Sequence, residues 1–460
     1  MAFQDTPGQA RDANVQRKIV LANVGTLGDL HPLVAIALQL EQRGYATVIA
    51  TNPDHRDTVI RAGLEFHPVG PTRDEILEDL AIDPVEFGRR IGKDAMYVLE
   101  AAVFPYLKVT YDDLLPVLAG ASLVLAGSLM YSARFAAQTL AIPHVTIALQ
   151  PMVFLSAHDP PSISQAPWMA RPLRCLGPAV TRAVYGPGKF LASRRARPLD
   201  DFRRELHLPE TDANPLFDGQ FSTLGTLAAY SPVLGQIQPD YPTNTVVTGF
   251  PFYDGGTPVD PTQTTELHHF LAAGPPPLVF TLGSFAVDFP GEFYRVCLEA
   301  TRELRQRAVL LVGARRNEAI HKEHSQDVLV CDYWPYSSLF PHALITIHHG
   351  GIGTTGQALR AGKPQLIVPF LGDQFDNAER VSRLGVGRWI GHKRYSRTRV
   401  VRELQDLLDH QAFGSRAAAV GRMVGLENGA EVAANAIARL LSPTTPTERR
   451  QGAPGSVSSQ

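Results

Sequence analysis

The sequence has few cysteines, no long apolar run and no excess of either charge. Its 460 residues hold 3 cysteines, too few and too widely spaced for a disulfide framework or a cysteine zinc site. No stretch reaches the roughly 18 apolar residues that a membrane helix needs. Residues 1–16 lack the basic start and apolar centre of a signal peptide. With 43 Lys and Arg against 45 Asp and Glu, a global basic field for nucleic acid is excluded, and we expect a soluble cytoplasmic protein.

What is present is a globular composition, with 44% hydrophobic and 19% charged residues, in a chain long enough for two or three domains. Short aliphatic runs alternate with helical patterns in two arrays. The first array has predicted strands at 18–24, 46–50, 123–126 and 144–148. The second has predicted strands at 277–283, 308–312, 328–330, 344–347 and 365–368. This alternation predicts two parallel sheets, each covered by helices on both faces.

Glycine and proline cluster between the arrays, which places a predicted linker at 248–262. The predicted domains are then 17–247 and 263–441. The two ends, 1–16 and 442–460, are predicted to be disordered tails, the second being rich in Pro, Thr, Ser and Gly.

The most informative segment is the glycine-rich turn from His348 to Gly356, between a predicted strand and a predicted helix. Such a turn lets the backbone approach an anion, and the free N–H groups at the helix start then meet its charge. Threonine hydroxyls and a histidine that can be cationic add further donors. A metal site is the alternative reading of the His348–His349 pair. However, neighbouring strand residues point to opposite faces, and no other ligand stands at the usual spacing.

The segment from His348 to Gly387 resembles the nucleotide-sugar-dependent glycosyltransferases of family 1. A Gly-Gly-Ile-Gly turn, the pair Asp373-Gln374 and a Thr-Gly-Phe-Pro sequence at Thr248–Pro251 carry the resemblance. The similar branch is the bacterial and fungal one that acts on sterols, glycopeptides and rhamnolipid precursors. The resemblance implies a GT-B fold, in which two doubly wound Rossmann-like domains face a central cleft. It further implies an acceptor-binding first domain and a nucleotide-sugar donor-binding second domain, with no bound cofactor or metal.

The loop from Gly25 to Pro32 ends the first predicted strand, and Pro32 suits the first turn of the following helix. The resemblance nominates Asp29 as the general base that takes the proton of the acceptor hydroxyl, with His31 as the reserve. The alternative for Asp29 is a capping role at the helix start, which aspartate favours. The alternative for His31 is a purely structural position.

The resemblance also assigns donor-binding residues in the second domain. His349 would donate to the diphosphate, Asp373 and Gln374 would bind sugar hydroxyls, and Asp373 has a helix-cap or turn role as its alternative. Ser284 would contact phosphate or ribose, and Trp334 would lie beside the base, with core packing as its alternative. The groups predicted to cradle the diphosphate are Gly350, Gly351, Gly353, Thr354 and Thr355.

Residues 150–236 form a Pro-, Arg- and apolar-rich insertion that is predicted to wall a hydrophobic acceptor pocket. Its basic patch at 171–197 has two readings: a solvated helix face, or a peripheral contact with the inner, anionic membrane face.

The expected function is an inverting, metal-independent hexosyltransferase that uses a UDP- or dTDP-sugar and a hydrophobic acceptor. The acceptor would be a hydroxyacyl lipid, a polyketide or a sterol-like compound. A rhamnosyltransferase with a thymidine donor is favoured over a uridine-linked glucose donor. The rival hypotheses are a nucleotide-sugar epimerase of the same fold and a non-catalytic GT-B binding protein. The base of the donor, the acceptor and the oligomeric state stay open at this point.

Overall fold

The computed structural model describes residues 17–255, 261–313 and 318–442. The predicted tails therefore lie outside the described residues, apart from Ser442, and so does part of the predicted linker. Within these ranges the chain forms two parallel sheets, as the alternating pattern predicts.

The first sheet has seven strands in the order β3-β2-β1-β4-β5-β6-β7, and every neighbouring pair is parallel. Its strands are β1 Lys18–Ala22, β2 Ala46–Thr51, β3 Glu65–Pro68, β4 Leu123–Gly127, β5 His144–Ala148, β6 Thr226–Ala228 and β7 Thr245–Val247. Ile19 and Leu21 pack into a core on one face, while Val20 and Ala22 pack into a second core on the other. Burial on both faces explains why β1 reads as an unbroken apolar run.

The second sheet has six parallel strands in the order β10-β9-β8-β11-β12-β13. They are β8 Leu278–Thr281, β9 Ala308–Leu311, β10 Val328–Cys331, β11 Ile345–His348, β12 Gln365–Ile367 and β13 Gly387–Trp389. The two sheets confirm the predicted GT-B fold class.

Helices cover both sheets. Those of the first half are α1 Leu27–Glu41, α2 Arg56–Arg61, α3 Arg73–Asp79, α4 Pro84–Lys93, α5 Tyr97–Ala102, α6 Leu107–Leu118, α7 Tyr131–Thr139, α8 Ala170–Leu176, α9 Pro178–Arg195 and α10 Arg197–Glu205. Those of the second half are α11 Pro261–Ala272, α12 Gly283–Ala286, α13 Phe293–Glu303, α14 Glu318–His321, α15 Tyr336–Leu339, α16 Ile352–Arg360, α17 Gln374–Arg383, α18 Arg397–Asp409, α19 Gln411–Gly425 and α20 Gly429–Leu441. Short 3-10 helices span Pro53–His55, Phe104–Tyr106, Pro151–Phe154, Pro167–Met169, Asp218–Gln220, Phe340–His342 and His392–Arg394.

Helix α1 begins earlier than predicted. Thr26 is its N-cap and Leu27 its first residue, so Pro32 lies inside the helix and the prediction of Pro32 in the first turn is wrong. A capping box at Thr26 starts the helix within the glycine loop itself.

The last helix, α20, packs against α1 rather than on the second sheet. Ala430, Ala433, Ala434 and Ile437 belong to the same core as α1 and β1. The chain therefore returns to its first half at its end, although the sequence placed 263–441 in one domain. The boundaries at 247 and 263 themselves stay predictions.

Strand order reverses between β1 and β4 in the first sheet and between β8 and β11 in the second. Ligands of doubly wound sheets bind at this point, outside the carboxyl ends of the strands. The loop after β1 and the turn after β11 both lie there. They approach closely, since a Cβ placed on Gly353 would lie 3.9 Å from the Cα of Gly28.

Candidate active site

A cavity of about 1060 Å³ lies between the carboxyl ends of the two sheets and is lined by residues from both halves. Ten of the twelve predicted site residues line it: Asp29, His31, Ser284, Trp334, His349, Gly351, Gly353, Thr354, Asp373 and Gln374. The other two, Gly350 and Thr355, are buried. The structure thus brings the predicted residues to one place, while the role of each stays a prediction.

His349 follows β11 and is held between two glycines. A Cβ on Gly351 would come within 2.4 Å of its Nε2 atom, and one on Gly283 within 2.5 Å of its Cε1 atom. Its Nδ1 atom is buried and has no hydrogen-bond partner among the described residues. Burial, followed by the neighbouring His348, lowers the pKa of His349 to about 3. The side chain is therefore neutral, although the sequence left a cationic state open, and it offers one N–H donor.

His348 has a structural role that the sequence did not indicate. Its Nε2 atom lies 3.0 Å from Oε1 of Gln365, and the Gly350 N–H donates to its Nδ1 atom at 3.1 Å. This pattern fixes the tautomer, because Nδ1 must accept and Nε2 must donate. Gly350 has φ of +92°, a conformation that favours glycine. His348 thus holds the start of the glycine turn in place.

The turn leads into α16, whose N-cap is Gly351 without a side-chain cap. The helix starts at Ile352, inside the predicted glycine-rich turn, so Gly353 and Thr354 belong to its first turn. The first N–H groups of a helix have no partner within it, and they carry its positive dipole end. Thr354 lies on the cavity wall, and the buried Thr355 hydroxyl has no partner among the described residues. This is a site that suits an anion.

We expect Gly351→Ala to weaken anion binding at this turn by about tenfold or more, because displacing one charge-assisted donor costs about 1.5–3 kcal/mol. The Gly351 backbone, with φ of −57°, accepts alanine, so the effect comes from the clash with His349 alone. Isothermal titration with a nucleoside diphosphate measures it. Gly414→Ala is the matched control, since its Cβ would meet nothing within 4 Å. Equal affinities for both variants would contradict the expectation.

Asp29 lies in the first turn of α1 at the cavity. Its Oδ2 atom accepts from the Thr26 N–H at 2.8 Å and from the Thr26 hydroxyl at 3.0 Å. Its Oδ1 atom receives no hydrogen bond from the described residues and is free for a ligand. Burial raises the pKa of Asp29, against the opposing effects of Thr26 and of His55. The capping role that the sequence offered as an alternative is therefore present, and it leaves one oxygen available.

Two histidines accompany this carboxylate. His31 packs against Tyr253 with ring centroids 5.4 Å apart, and burial, followed by His55, lowers the pKa of His31 to about 4. His55 was not predicted; its Nε2 atom lies 3.0 Å from the carbonyl oxygen of Gly25. His55 comes just after β2, and β2 lies beside β1 in the sheet. Its position after a strand next to β1 is the sequence signal that could have placed it near the loop of Asp29.

Asp373 and Gln374 stand at the start of α17. Asp373 occupies the N-cap position but makes no cap hydrogen bond; Nδ2 of Asn377 donates to its Oδ2 atom at 2.8 Å. Burial, and next the charge of Asp29 across the cleft, raise the pKa of Asp373 to about 7. Oε1 of Gln374 accepts from the Phe370 and Leu371 N–H groups at 2.8 and 3.1 Å. Gln374 therefore shapes its loop with its oxygen and keeps its amide nitrogen for a ligand.

We expect Asp373→Asn to raise the melting temperature, measured without added ligand, by about 2 °C or more at pH 8, and by less at pH 5. The folded-state pKa lies above that of unfolded aspartate, near 3.9, so the folded chain holds the proton more tightly. This tighter proton binding at Asp373 contributes fully to stability below about pH 4, and the contribution is lost as the pH rises through about 7. Melting curves at both pH values test this, with Asp212→Asn, an exposed site, as the control. A pH-independent difference would contradict it.

Ser284 and Trp334 belong to the second half of the chain and line the cavity. Ser284 is exposed to the cavity in α12. Trp334 is buried, belongs to a hydrophobic core, and donates from its Nε1 atom to the Ser338 hydroxyl at 3.0 Å. Packing, the alternative for Trp334, is thus what the structure shows, although the side chain also borders the cavity.

The opposite wall of the cavity is apolar and comes from the first half. It is formed mainly by α3 to α6 and the loop after β4, including Leu77, Phe87, Ile91, Val98, Val103, Leu107, Leu129 and Met130. The insertion at 150–236 contributes only Gln150, Met152 and Ala229 among the lining residues. The prediction that this insertion walls the pocket is therefore wrong, because Trp168, Phe190 and Leu191 face solvent instead.

Comparison with known families agrees with this geometry. Residues 19–145 match the glycosyltransferase family 28 N-terminal domain. Residues 295–439 match the C-terminal domain of the erythromycin biosynthesis protein CIII-like family, and the two matches together cover more than half of the chain. The chain belongs to the family 1 glycosyltransferases of GT-B fold.

Several individual proteins are similar to this chain. A sterol 3-beta-glucosyltransferase of Arabidopsis thaliana is 27% identical over 80% of this chain, which spans 59% of that relative. The O-mycaminosyltylonolide 6-deoxyallosyltransferase of Streptomyces fradiae is 29% identical over 90% of this chain and 95% of its own length. The spinosyn rhamnosyltransferase SpnG, complexed with thymidine diphosphate, shares the fold with a TM-score of 0.62 at 18% identity, covering 93% of this chain and 100% of its own.

Within residues 17–255, 261–313 and 318–442, no three His, Cys, Asp or Glu side chains are grouped as a metal site requires. In the same ranges, no helix combines the length and apolar character needed to cross a membrane.

Proposed function

We propose that this chain is an inverting glycosyltransferase that moves a sugar from a nucleotide diphosphate sugar to a hydroxyl group of a hydrophobic acceptor. One observation carries the proposal. A single cavity joins an uncapped helix start and an unpartnered histidine on one side to a carboxylate and an apolar wall on the other. Such a cavity has room for an anionic donor and a lipophilic acceptor together.

The donor would place its diphosphate at the start of α16. N–H groups of the first turn, the Thr354 hydroxyl and the neutral His349 N–H would donate to it. These fixed donors would stabilise the charge that builds on the leaving nucleoside diphosphate, so no metal is needed in this proposal. Asp373 and the amide nitrogen of Gln374 would hold sugar hydroxyls.

The acceptor hydroxyl would attack the anomeric carbon from the side opposite the diphosphate. The bond from its oxygen to that carbon forms as the bond from the carbon to the diphosphate oxygen breaks, which inverts the configuration. Oδ1 of Asp29 would take the hydroxyl proton, and Thr26 would orient the carboxylate through Oδ2. Even a raised carboxylate pKa lies far below that of an alcohol, so proton removal must accompany sugar transfer.

Donor and acceptor classes follow the relatives. A thymidine donor with rhamnose is favoured, since the rhamnosyltransferase SpnG binds thymidine diphosphate, and a uridine-linked glucose is the second choice. The acceptor class is a sterol, a polyketide or a hydroxyacyl lipid, which suits the apolar wall from α3 to α6. The free cysteines Cys175, Cys297 and Cys331 suit a cytoplasmic enzyme.

The test is thermal stability against UDP, dTDP and their sugar conjugates, without metal, for the native chain and for His349→Ala. Ligand at a hundred times its Kd stabilises a folded protein by about 2.7 kcal/mol, so a shift of several degrees is expected with one base. The His349→Ala shift should be smaller at the same concentration. No shift with any nucleotide near millimolar concentration would overturn the proposal. The favoured donor, incubated alone and with sterol or polyketide acceptors, then separates transfer from epimerisation.

A further inference from the structure

The segment 160–199 carries seven Lys and Arg residues and no Asp or Glu. It forms α8 and α9 together with the 3-10 helix Pro167–Met169. We call its solvent-exposed side chains the basic-apolar face. It lies outside the cavity lining and has no part in the proposed reaction.

Large apolar side chains of this face stand in solvent. Trp168 is 72% exposed, Phe190 63% and Leu191 61%. On α9, Val180, Val184 and Leu191 recur at spacings of four and seven residues, so they share one stripe of the helix. Thr181 and Tyr185, on a neighbouring side of α9, are buried and anchor the helix. Concentrated apolar exposure of this kind marks an interaction surface.

The charges on the same face are mostly uncompensated. Arg174 pairs with Glu379 at 2.6 Å, and Arg195 pairs with Asp94 and Glu100 at 2.7 and 2.6 Å. The remaining five form no ion pair with a carboxylate of the described residues: Arg171, Arg182, Lys189, Arg194 and Arg197. A face that carries both apolar side chains and unpaired cations matches an anionic lipid surface, where the former enter the acyl boundary and the latter meet the headgroups.

We propose that the basic-apolar face docks this protein on an anionic lipid surface. A merely solvated helix face does not account for Trp168, Phe190 and Leu191 in water. A second copy of the chain is disfavoured, because pairing two such faces sets cations that lack a carboxylate partner against one another.

The docked face would adjoin the apolar wall of the cavity. Arg195, at the end of α9, pairs with Asp94 and Glu100, which flank the cavity-lining residues Ala95 and Val98. Docking would therefore bring a lipophilic acceptor near the cavity. This consequence rests on the proposed function, whereas the docking itself does not.

Vesicle co-sedimentation of the full chain tests the proposal, with phosphatidylcholine alone and with 30% phosphatidylglycerol added, about 0.1 M salt being present in both. We expect at least about tenfold tighter binding to the anionic vesicles, because several cations contribute near the surface. Two double variants should each weaken binding by about tenfold. The first combines Phe190→Ser with Leu191→Ser, and the second combines Arg182→Gln with Arg194→Gln. All four side chains are exposed, so folding should persist, and unchanged melting temperatures check this.

The matched control is Arg422→Gln with Leu426→Ser, which removes one exposed cation and one exposed apolar side chain from α19 and the residue after it. It should bind vesicles as the native chain does. No sedimentation with anionic vesicles, or an equal loss in the control, would overturn the proposal. The proposal would also be overturned if ultracentrifugation showed the native chain to be a dimer and only the Phe190→Ser, Leu191→Ser variant to be a monomer. Nucleotide-induced stabilisation is measured on the same samples, so failure of docking and failure of the donor site are distinguishable.

Discussion

Asp29→Asn is expected to lower kcat by about a thousandfold, within the range that a general base contributes. The amide cannot take the acceptor proton, yet it keeps the shape of the side chain and an oxygen that can accept from Thr26. Donor affinity should stay within a few fold of the native value, because the donor groups lie on the other sheet. Single-turnover kinetics with saturating donor and acceptor, together with nucleotide titration, measure the two effects separately.

Thr26→Ala is the control that separates catalysis from helix capping. It removes the Thr26 hydroxyl that accepts from Gly28 N–H and donates to Asp29, but it leaves the carboxylate in place. Loss of this cap should cost about 1 kcal/mol of stability, with at most a tenfold loss in kcat. If Asp29→Asn turned over within tenfold of the native rate, Asp29 would not be the base, and His31→Ala would be the next variant to measure.

Arg380→Ala is expected to destabilise the protein by about 3–5 kcal/mol, the range for removing one partner of a buried ion pair. Arg380 is only 2% exposed and pairs with Asp376 at 2.7 Å on α17 and with Asp159 from the first half. Its guanidinium also donates to the carbonyl oxygen of Leu234 at 3.2 Å. Truncation would leave the buried Asp376 carboxylate without a cation and Asp159 with Arg383 alone, and we expect the melting temperature to fall by about 5 °C or more.

Arg383→Ala is the matched control for Arg380. Arg383 lies on the same helix and pairs with the same Asp159 at 2.7 Å, but its side chain is 36% exposed. Solvent-exposed pairs contribute about 0–1 kcal/mol, so this variant should melt close to the native chain. If the melting temperature fell equally for both variants, the cause would be the shortening of an arginine side chain on α17 and not the loss of the buried ion pair. Since α17 also carries Gln374 and follows Asp373, Arg380→Ala should weaken donor binding as well.

The strands that the sequence predicted, such as β1, β4 and β8, are buried on both faces, which leaves an unbroken aliphatic run. The sequence missed β3, β6, β7 and β13. Of these, β3 and β7 have no fully buried residue, and β6 and β13 are only three residues long. Helix starts were less predictable. Pro32 suggested a first turn, but a capping box of Thr26 and Asp29 starts α1 five residues earlier. The capping pattern usually has Glu or Gln at its last position, and Asp29 does not fit that pattern.

The site was predictable wherever its residues follow a strand end in the sequence, as His349 and Asp29 do. Contacts between distant segments left no local pattern. The hydrogen bond of His348 to Gln365 needs the register of β11 against β12, and the pairing of Arg380 with Asp159 spans the two halves of the chain. The neutral state of His349 was also invisible, because it depends on burial between two glycines.

Helix α20 completes the core of the first sheet, although it is synthesised long after α1. The ribosome releases β1 and α1 before Ala433 and Ile437, which close the core over α1 and emerge some four hundred residues later. Until then the nascent first half exposes an apolar strip along α1, a surface prone to misassociation. A chain interrupted before residue 429 therefore keeps this apolar surface of α1 exposed, where a chaperone or a protease can recognise it. The strands of both sheets have already been synthesised at that point.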